Sequence, residues 1–342
     1  MEDYHQDVKR SFDFRYRRFS ITFVYFKSLP MSSQNSSRRS FLRNTLATAT
    51  GAAIIPNQVF AQTPAIIPDA KKFRVVQITD THVQNELSAS HTRAVLDRIA
   101  RDEKPDVIFH TGDVIMDALA TGKEDVGKQW ALWKQITSGF SIPIKYALGN
   151  HDVWWNKPDA SEPLYGKTWA LQELGMSKRY YSVLEGGWKF VFLDSIQPHE
   201  TWAYNGGIDK EQMDWFSREL KETPPSTPIF VSSHIPLLSA AIFDLSEKEK
   251  DVWQVSGSLM HADSHEVQSL LRTYPNVRTC VSGHLHLLDT VSYDKIQYMG
   301  CGAVSANWWK TTAFHQTISG YAVLDLKKDG NFTREYKVFP WS

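Results

Sequence analysis

Residues 144–152 read Ile-Lys-Tyr-Ala-Leu-Gly-Asn-His-Asp, an apolar run that breaks at Gly149 and then delivers Asn150, His151 and Asp152 in succession. Such a run bounded by glycine predicts a short strand over 144–148. Gly149 itself predicts a sharp turn or a close backbone approach that leaves no room for a Cβ. The string Gly-Asn-His-Asp arises by chance in a chain of this length only about once in several hundred sequences, and the same arrangement recurs on both sides of it. A strand predicted over 73–78 is followed by Asp80 and His82, and one over 107–109 by Gly112-Asp113. A strand over 229–231 is followed by His234, and one over 277–281 by Gly283-His284-Leu285-His286. In open α/β sheets the ligand crevice lies beyond the carboxyl ends of the strands, so five such arrivals are expected to converge.

Amphipathic stretches separate the strands. One helix is predicted from an N-cap at Ser90 to about Glu103, with Ala94, Val95, Leu96 and Ile99 as its apolar stripe and Pro105 as its stop. Others are predicted over 128–136, 210–221 and 264–272. Gly186-Gly187 predicts a hairpin joining 180–184 to 189–193, and Asp329-Gly330-Asn331 another within 321–339. This alternation is the pattern of α/β layering.

The seven groups delivered at the strand ends are Asp80, His82, Asp113, Asn150, His234, His284 and His286: four imidazoles, two carboxylates and one amide oxygen, with no thiolate. That set suits Zn, Fe or Mn and disfavours Cu(I) and iron–sulfur clusters. It exceeds what one tetrahedral ion uses, whereas two ions sharing a carboxylate would each have about four protein ligands. Paired ions roughly 3.5 to 4 Å apart can hold a hydroxide between them and stabilise the charge that builds during in-line attack on phosphorus. Phosphoester hydrolysis is therefore the expected chemistry.

The ordered pattern Asp80-x-His82, Gly112-Asp113, Gly149-Asn150-His151-Asp152, His234, Gly283-His284-x-His286 resembles the calcineurin-like metallophosphoesterase superfamily over about residues 73–290. The resemblance implies a four-layer αββα sandwich, two mixed sheets packed face to face with flanking helices, forming a single domain over 73–342 with a C-terminal β extension from about 290. It implies that Asp80, His82 and His286 hold the first metal, that Asn150, His234 and His284 hold the second, and that Asp113 bridges. His151 would contact the phosphoryl group or protonate the leaving oxygen, and Asp152 would orient its ring. Purple acid phosphatases carry a Tyr ligand after the second motif and glycine where this chain has His82. The pattern here leans instead to the phosphodiesterase-like branch, which includes class III cyclic nucleotide phosphodiesterases. A phosphomonoesterase of the same fold is the first alternative. A non-catalytic binding scaffold is the second, against which the intact ligand set speaks.

The remaining candidates have plainer readings. His110 is expected to pack behind the ligands, and His91, His199, His261, His265 and His315 to be surface or structural residues. Trp154-Trp155 and Trp308-Trp309 either wall the pocket or fill the core. Cys280 and Cys301 read as two buried thiols, with one disulfide as the other option. Asn331-Phe332-Thr333 matches a glycosylation sequon without further support.

Composition argues against a nucleic-acid partner, which leaves a small phosphoester as the expected substrate. The chain has 342 residues, 38 basic and 38 acidic, and is 42% hydrophobic, ordinary for a globular protein. Nine of the basic and four of the acidic residues fall in 1–61, so the remainder is mildly acidic, without the basic stripe that nucleic acid requires. Ser36-Ser-Arg-Arg-Ser-Phe-Leu-Arg43, followed by a weakly apolar stretch over 46–55, resembles a bacterial twin-arginine export signal. That stretch falls short of the about 20 apolar residues that span a bilayer, so no stable membrane insertion is expected. We expect residues 1–30 to be a non-native or disordered extension upstream of an initiator at Met31. Residues 31–61 would be the signal, read by the twin-arginine machinery, and 62–72 a linker, giving a periplasmic or secreted protein. Mass spectrometry of the exported protein should find its N-terminus at Gln62, after the small residue Ala61; an N-terminus upstream of residue 31 would refute the assignment.

Overall fold

The computed structural model describes residues 72–155, 161–200 and 203–341. The readings for 1–71, the extension, the export signal and nearly all of the linker, lie outside these residues. Strand β1, Phe73–Ile78, lies at the centre of the first sheet and is the key to the layering. Its side chains alternate between two buried faces, Val75 towards the second sheet and Val76 and Ile78 towards helices.

β1 runs parallel to β2, Val107–His110, which runs parallel to β3, Ile144–Tyr146. The second sheet begins with the hairpin of β4, Tyr181–Glu185, and β5, Trp188–Phe192, whose turn residues Gly186 and Gly187 sit at φ +58° and +87°, as a two-residue primed turn demands. β6, Ile229–Ser232, and β7, Val277–Ser282, extend it in parallel. β8, Asp289–Tyr293, and β9, Ile296–Gly300, complete its far edge, while β10, Gly320–Leu326, and β11, Phe332–Val338, return to the first sheet. The orders are β11-β10-β1-β2-β3 and β8-β9-β7-β6-β5-β4.

Helices close both outer faces. α1, Glu86–Arg98, and α2, Lys123–Thr137, with the short α3, Thr168–Glu173, cover the first sheet through Val95, Leu96, Val126, Trp130 and Trp133. α4, Lys210–Glu222, and α6, Ser264–Leu271, cover the second through Phe216, Leu220, Val267 and Leu271. A short helix α5, Ile242–Leu245, precedes an outlying hairpin of Glu247–Glu249 and Val252–Gln254. The result is the expected αββα sandwich. Among the described residues no helix is long and apolar enough to cross a membrane.

Three sequence expectations shift. α1 starts at Asn85 rather than Ser90, because the Asn85 side chain accepts from the Ser88 amide while Ser88 Oγ accepts from the Asn85 amide, a reciprocal cap that Ser90 lacks. α2 begins five residues earlier than predicted, at Lys123, tolerating Gly127 in its interior. Both cysteines are free and buried, Cys280 facing the helices and Cys301 the space between the sheets, so the disulfide option falls.

The inter-sheet core is aromatic. Phe109 meets Phe190 and Phe192 edge-to-face at 4.9 Å each and Phe230 at 5.6 Å. Truncating such a residue loses its transfer free energy and leaves a cavity. Phe109→Ala should therefore lower stability by about 3–5 kcal/mol in denaturant unfolding; a loss under 1 kcal/mol would mean that the two sheets do not depend on this contact.

Candidate metal centre

All seven predicted ligands sit just past the carboxyl ends of β1, β2, β3, β6 and β7, and six of them are buried to 2% exposure or less. The backbone turns abruptly there. Asp80, His82, Asp113, His284 and His286 all lie in the left-handed region, at φ +52°, +42°, +55°, +70° and +58°. Non-glycine residues occupy that region rarely and at a cost, and they cluster at functional sites. The loops that carry them brace one another, since Asp80 donates its amide to Gly112 O and His82 to Asp113 O, and His234 O receives the Gly283 amide. Gly149 is required by close approach, because a Cβ there would collide with the amide and carboxylate of Asp113.

The ligand atoms form two groups, Asp80 with His82 and His286, and Asp113 with His234 and His284. In the first, His286 Nε2 lies 3.3 Å from Asp80 Oδ1 and 3.2 Å from His82 Nε2. In the second, His234 Nε2 faces Asp113 Oδ2 at 3.2 Å, Asn150 Oδ1 at 3.0 Å and His284 Nδ1 at 3.1 Å. Asp113 Oδ2 also stands 3.7 Å from His82 Nε2, between the groups.

Three of the four imidazoles are fixed from behind by backbone carbonyls. His234 Nδ1 donates to Thr111 O, His284 Nε2 to Ser258 O and His286 Nδ1 to Ala306 O, at 2.7, 2.8 and 2.5 Å. With those nitrogens protonated, the opposite lone pairs point into the site, which is how metal-ligating histidines are oriented. Asp80 Oδ1, fully buried, has no hydrogen-bond donor, while Asp80 Oδ2 accepts from Thr79 and the His284 amide. Lone pairs this close, with few protons among them, need positive charge, so the donor set fits two cations.

The titration behaviour follows. Burial opposes charge on Asp80 and Asp113, yet His286 and His234 respectively hold these carboxyls well below the usual range. Burial pushes His82 and His284 down to about 3. His234 moves the other way: burial disfavours its charge, but adjacent Asp113 outweighs that and lifts the imidazole to about 9.

His151 is half-buried, with its ring edge-on to His82 at 5.0 Å. Asp152 does not orient it, contrary to the expectation from the sequence. Its carboxylate instead accepts backbone amides from Gly149, Asp113, Val114 and Ile115 at 2.8–3.3 Å, joining the loops that carry Asp113 and Asn150. Burial and neighbouring Asp113 push that carboxyl up to about 7. The acid that faces the His151 ring is Asp117, whose Oδ1 lies 3.7 Å from Nδ1. Its only sequence signal was an acid four residues beyond Asp113.

His110 packs behind the ligands as expected; Gly112 donates to its Nδ1, and its Nε2 faces Thr81 Oγ1. The tryptophans divide. Trp154 is core, Trp155 packs beside a small cluster of Val153, Ile196 and Ile235, and Trp309 donates to the carbonyls of Thr81 and His82. Trp308 alone lies against the site, 4.3 Å from the His286 ring.

Metal uptake must displace the proton that Asp113 stabilises on His234. Titrating the metal-free protein with Mn²⁺ at pH 8 in buffers of different ionisation enthalpy should show release of about one proton, and affinity should rise with pH until about 9. Uptake without proton release would show that His234 is not a ligand.

The family model for calcineurin-like phosphoesterases matches residues 73–288. The chain is 24% identical to a 3′,5′-cyclic-nucleotide phosphodiesterase of Nostoc sp. over 282 residues, 78% of this chain and 93% of that protein. It is also 24% identical to the 3′,5′-cyclic adenosine monophosphate phosphodiesterase CpdA of Escherichia coli, over 77% of this chain and 89% of that one. A dimetal phosphatase from Danio rerio superimposes with a TM-score of 0.57 at 15% identity, covering 77% of this chain and 95% of its own. Two sheets that bring seven candidate metal ligands to one rim, with a matching family model over most of the chain, make this protein a member of the calcineurin-like phosphoesterase family, a metal-dependent phosphoester hydrolase.

Proposed function

We propose that the protein is an exported phosphodiesterase that hydrolyses small phosphodiesters, with 3′,5′-cyclic nucleotides as the first class to test. The observation that carries the reading is the pair of candidate ligand groups with Asp113 reaching from the second towards His82 of the first, and His151 beside the first of them. Both curated relatives are named as cyclic-nucleotide phosphodiesterases, and each is covered over most of its length. The twin-arginine-like stretch around Arg38-Arg39 supports a periplasmic or secreted location.

In this reading Asp80, His82 and His286 would hold one ion and Asn150, His234 and His284 the other, with Asp113 within reach of both groups. Such a pair, when bound, supplies water activation and neutralisation of charge on the phosphoryl oxygens. The chain's own residues do the rest. His151 sits at the mouth of the site with its ring towards His82, placed to give its proton to the departing ester oxygen. Burial disfavours charge on that ring, while Asp113 and Asp117 act against it and raise the imidazole above its ordinary value. The Asp113 Oδ1 atom accepts the His151 amide at 2.9 Å and fixes the stem from which the imidazole reaches. Asp117 acts through His151 as a positioning residue.

His151→Ala should lower kcat by about 10²- to 10⁴-fold, the usual contribution of a general acid, with two ions retained by elemental analysis. Asp117→Asn should lower kcat by about 10- to 100-fold at unchanged KM and metal content. Loss of metal in either variant would place that residue in the ligand set instead. Assaying 3′,5′-cyclic AMP beside p-nitrophenyl phosphate tests the substrate class; turnover of the monoester alone would replace the diesterase reading with a phosphatase.

A further inference from the structure

The segment beyond β9 is braced against the site in several ways. Val304 and Ser305 donate their amides to Thr79 O and Asp80 O, Ala306 O fixes His286, and Trp309 bonds the Thr81 and His82 carbonyls. Three of its non-glycine residues, Ala306, Trp308 and Trp309, have left-handed backbones at φ +49°, +48° and +63°. That strain has a visible product, since Trp309 turns inward to the carbonyls while Trp308 is presented at the rim.

Trp308 differs from the core tryptophans. Trp130, Trp133, Trp154 and Trp188 are almost wholly buried, whereas Trp308 is half-buried with histidines and one phenylalanine as neighbours. Its ring lies over His286 at 4.3 Å with a 31° tilt, 6.0 Å from His82. Phe314 supports its edge at 5.4 Å and 83°. His151 packs on the same His82 imidazole, so the indole and the proposed acid flank one ligand. A rigid indole in that position is a stacking platform for a planar group attached to a phosphate bound at the metal site. Stacking of a base on an aromatic ring is tolerant of sequence and needs no hydrogen-bond partner.

We infer that Trp308 is a specificity-determining residue that stacks on the nucleobase, or an equivalent aromatic group, of the phosphoester. The inference rests on the proposal that the site accepts nucleotide esters, but it is read by binding rather than turnover. Calorimetry on the metal-loaded protein should compare AMP with ribose 5-phosphate, which shares the phosphate and sugar and lacks the base. The parent should prefer AMP by about tenfold or more, within the range of base–aromatic stacking. In Trp308→Leu, and in Trp308→Met as a second variant should leucine disturb metal content, the preference should collapse towards parity, while Trp308→Phe retains most of it. A parent that binds both ligands equally, or a preference that survives both aliphatic variants with metals in place, overturns the inference. Turnover of 3′,5′-cyclic AMP is scored separately: base preference without turnover sinks the diesterase reading and leaves the platform standing.

Discussion

The Asp152 carboxylate, buried where β2 and β3 end, takes four backbone amide protons, from Asp113, Val114, Ile115 and Gly149. Those amides belong to the two loops that follow adjacent strands, and together with the His151 amide on Asp113 the contact fixes Asp113 relative to Asn150. From that fixed point the remainder of the site is assembled by carbonyls and amides. Thr111, Ser258 and Ala306 aim three imidazoles, and the amide of His151 holds the Asp113 carboxylate. A buried carboxylate satisfied by backbone donors is a stiffer clamp than an ion pair between two flexible side chains, because only one partner has rotamers to lose.

Rigidity of this kind opposes a local cost. Five candidate ligand residues with left-handed backbones each cost about 1–3 kcal/mol, and the buried Asp80 Oδ1 has no hydrogen-bond donor to satisfy it until positive charge arrives. The sandwich beneath supplies the opposing stability, through the aromatic cluster around Phe109 and the two helix-covered outer faces. The rim can be strained because the layers below are conventional.

The convergence of the candidate ligands was legible because histidine, aspartate and asparagine following short apolar runs have few structural uses, and because the runs themselves are strongly β-forming. Residues whose work is done through the backbone were not. Asp152 stands next to His151 in sequence, yet its partners are amides spread over two loops. Asp117 is an unremarkable acid until the fold brings it to His151. The β8–β9 hairpin escaped notice because its turn, Asp294-Lys295, takes the left-handed conformations at φ +49° and +67° without a glycine to advertise them. Trp308 and Trp309 are neighbours with opposite duties, both on left-handed backbones, and only the places their indoles reach in the fold separate them.

The pairing of β1 with β10 has a temporal side. β1 carries Asp80 and His82 at its end, but one of its edges stays open until residues 320–326 have been made. During synthesis, then, the strand that carries the first motif waits for the end of the chain before both its edges are paired. Sequence-distant pairing of this sort slows folding and leaves an apolar strand edge waiting for its mate. Nascent chains stalled before that hairpin would hold β1 as one edge of a half-made sheet, with every candidate ligand already encoded.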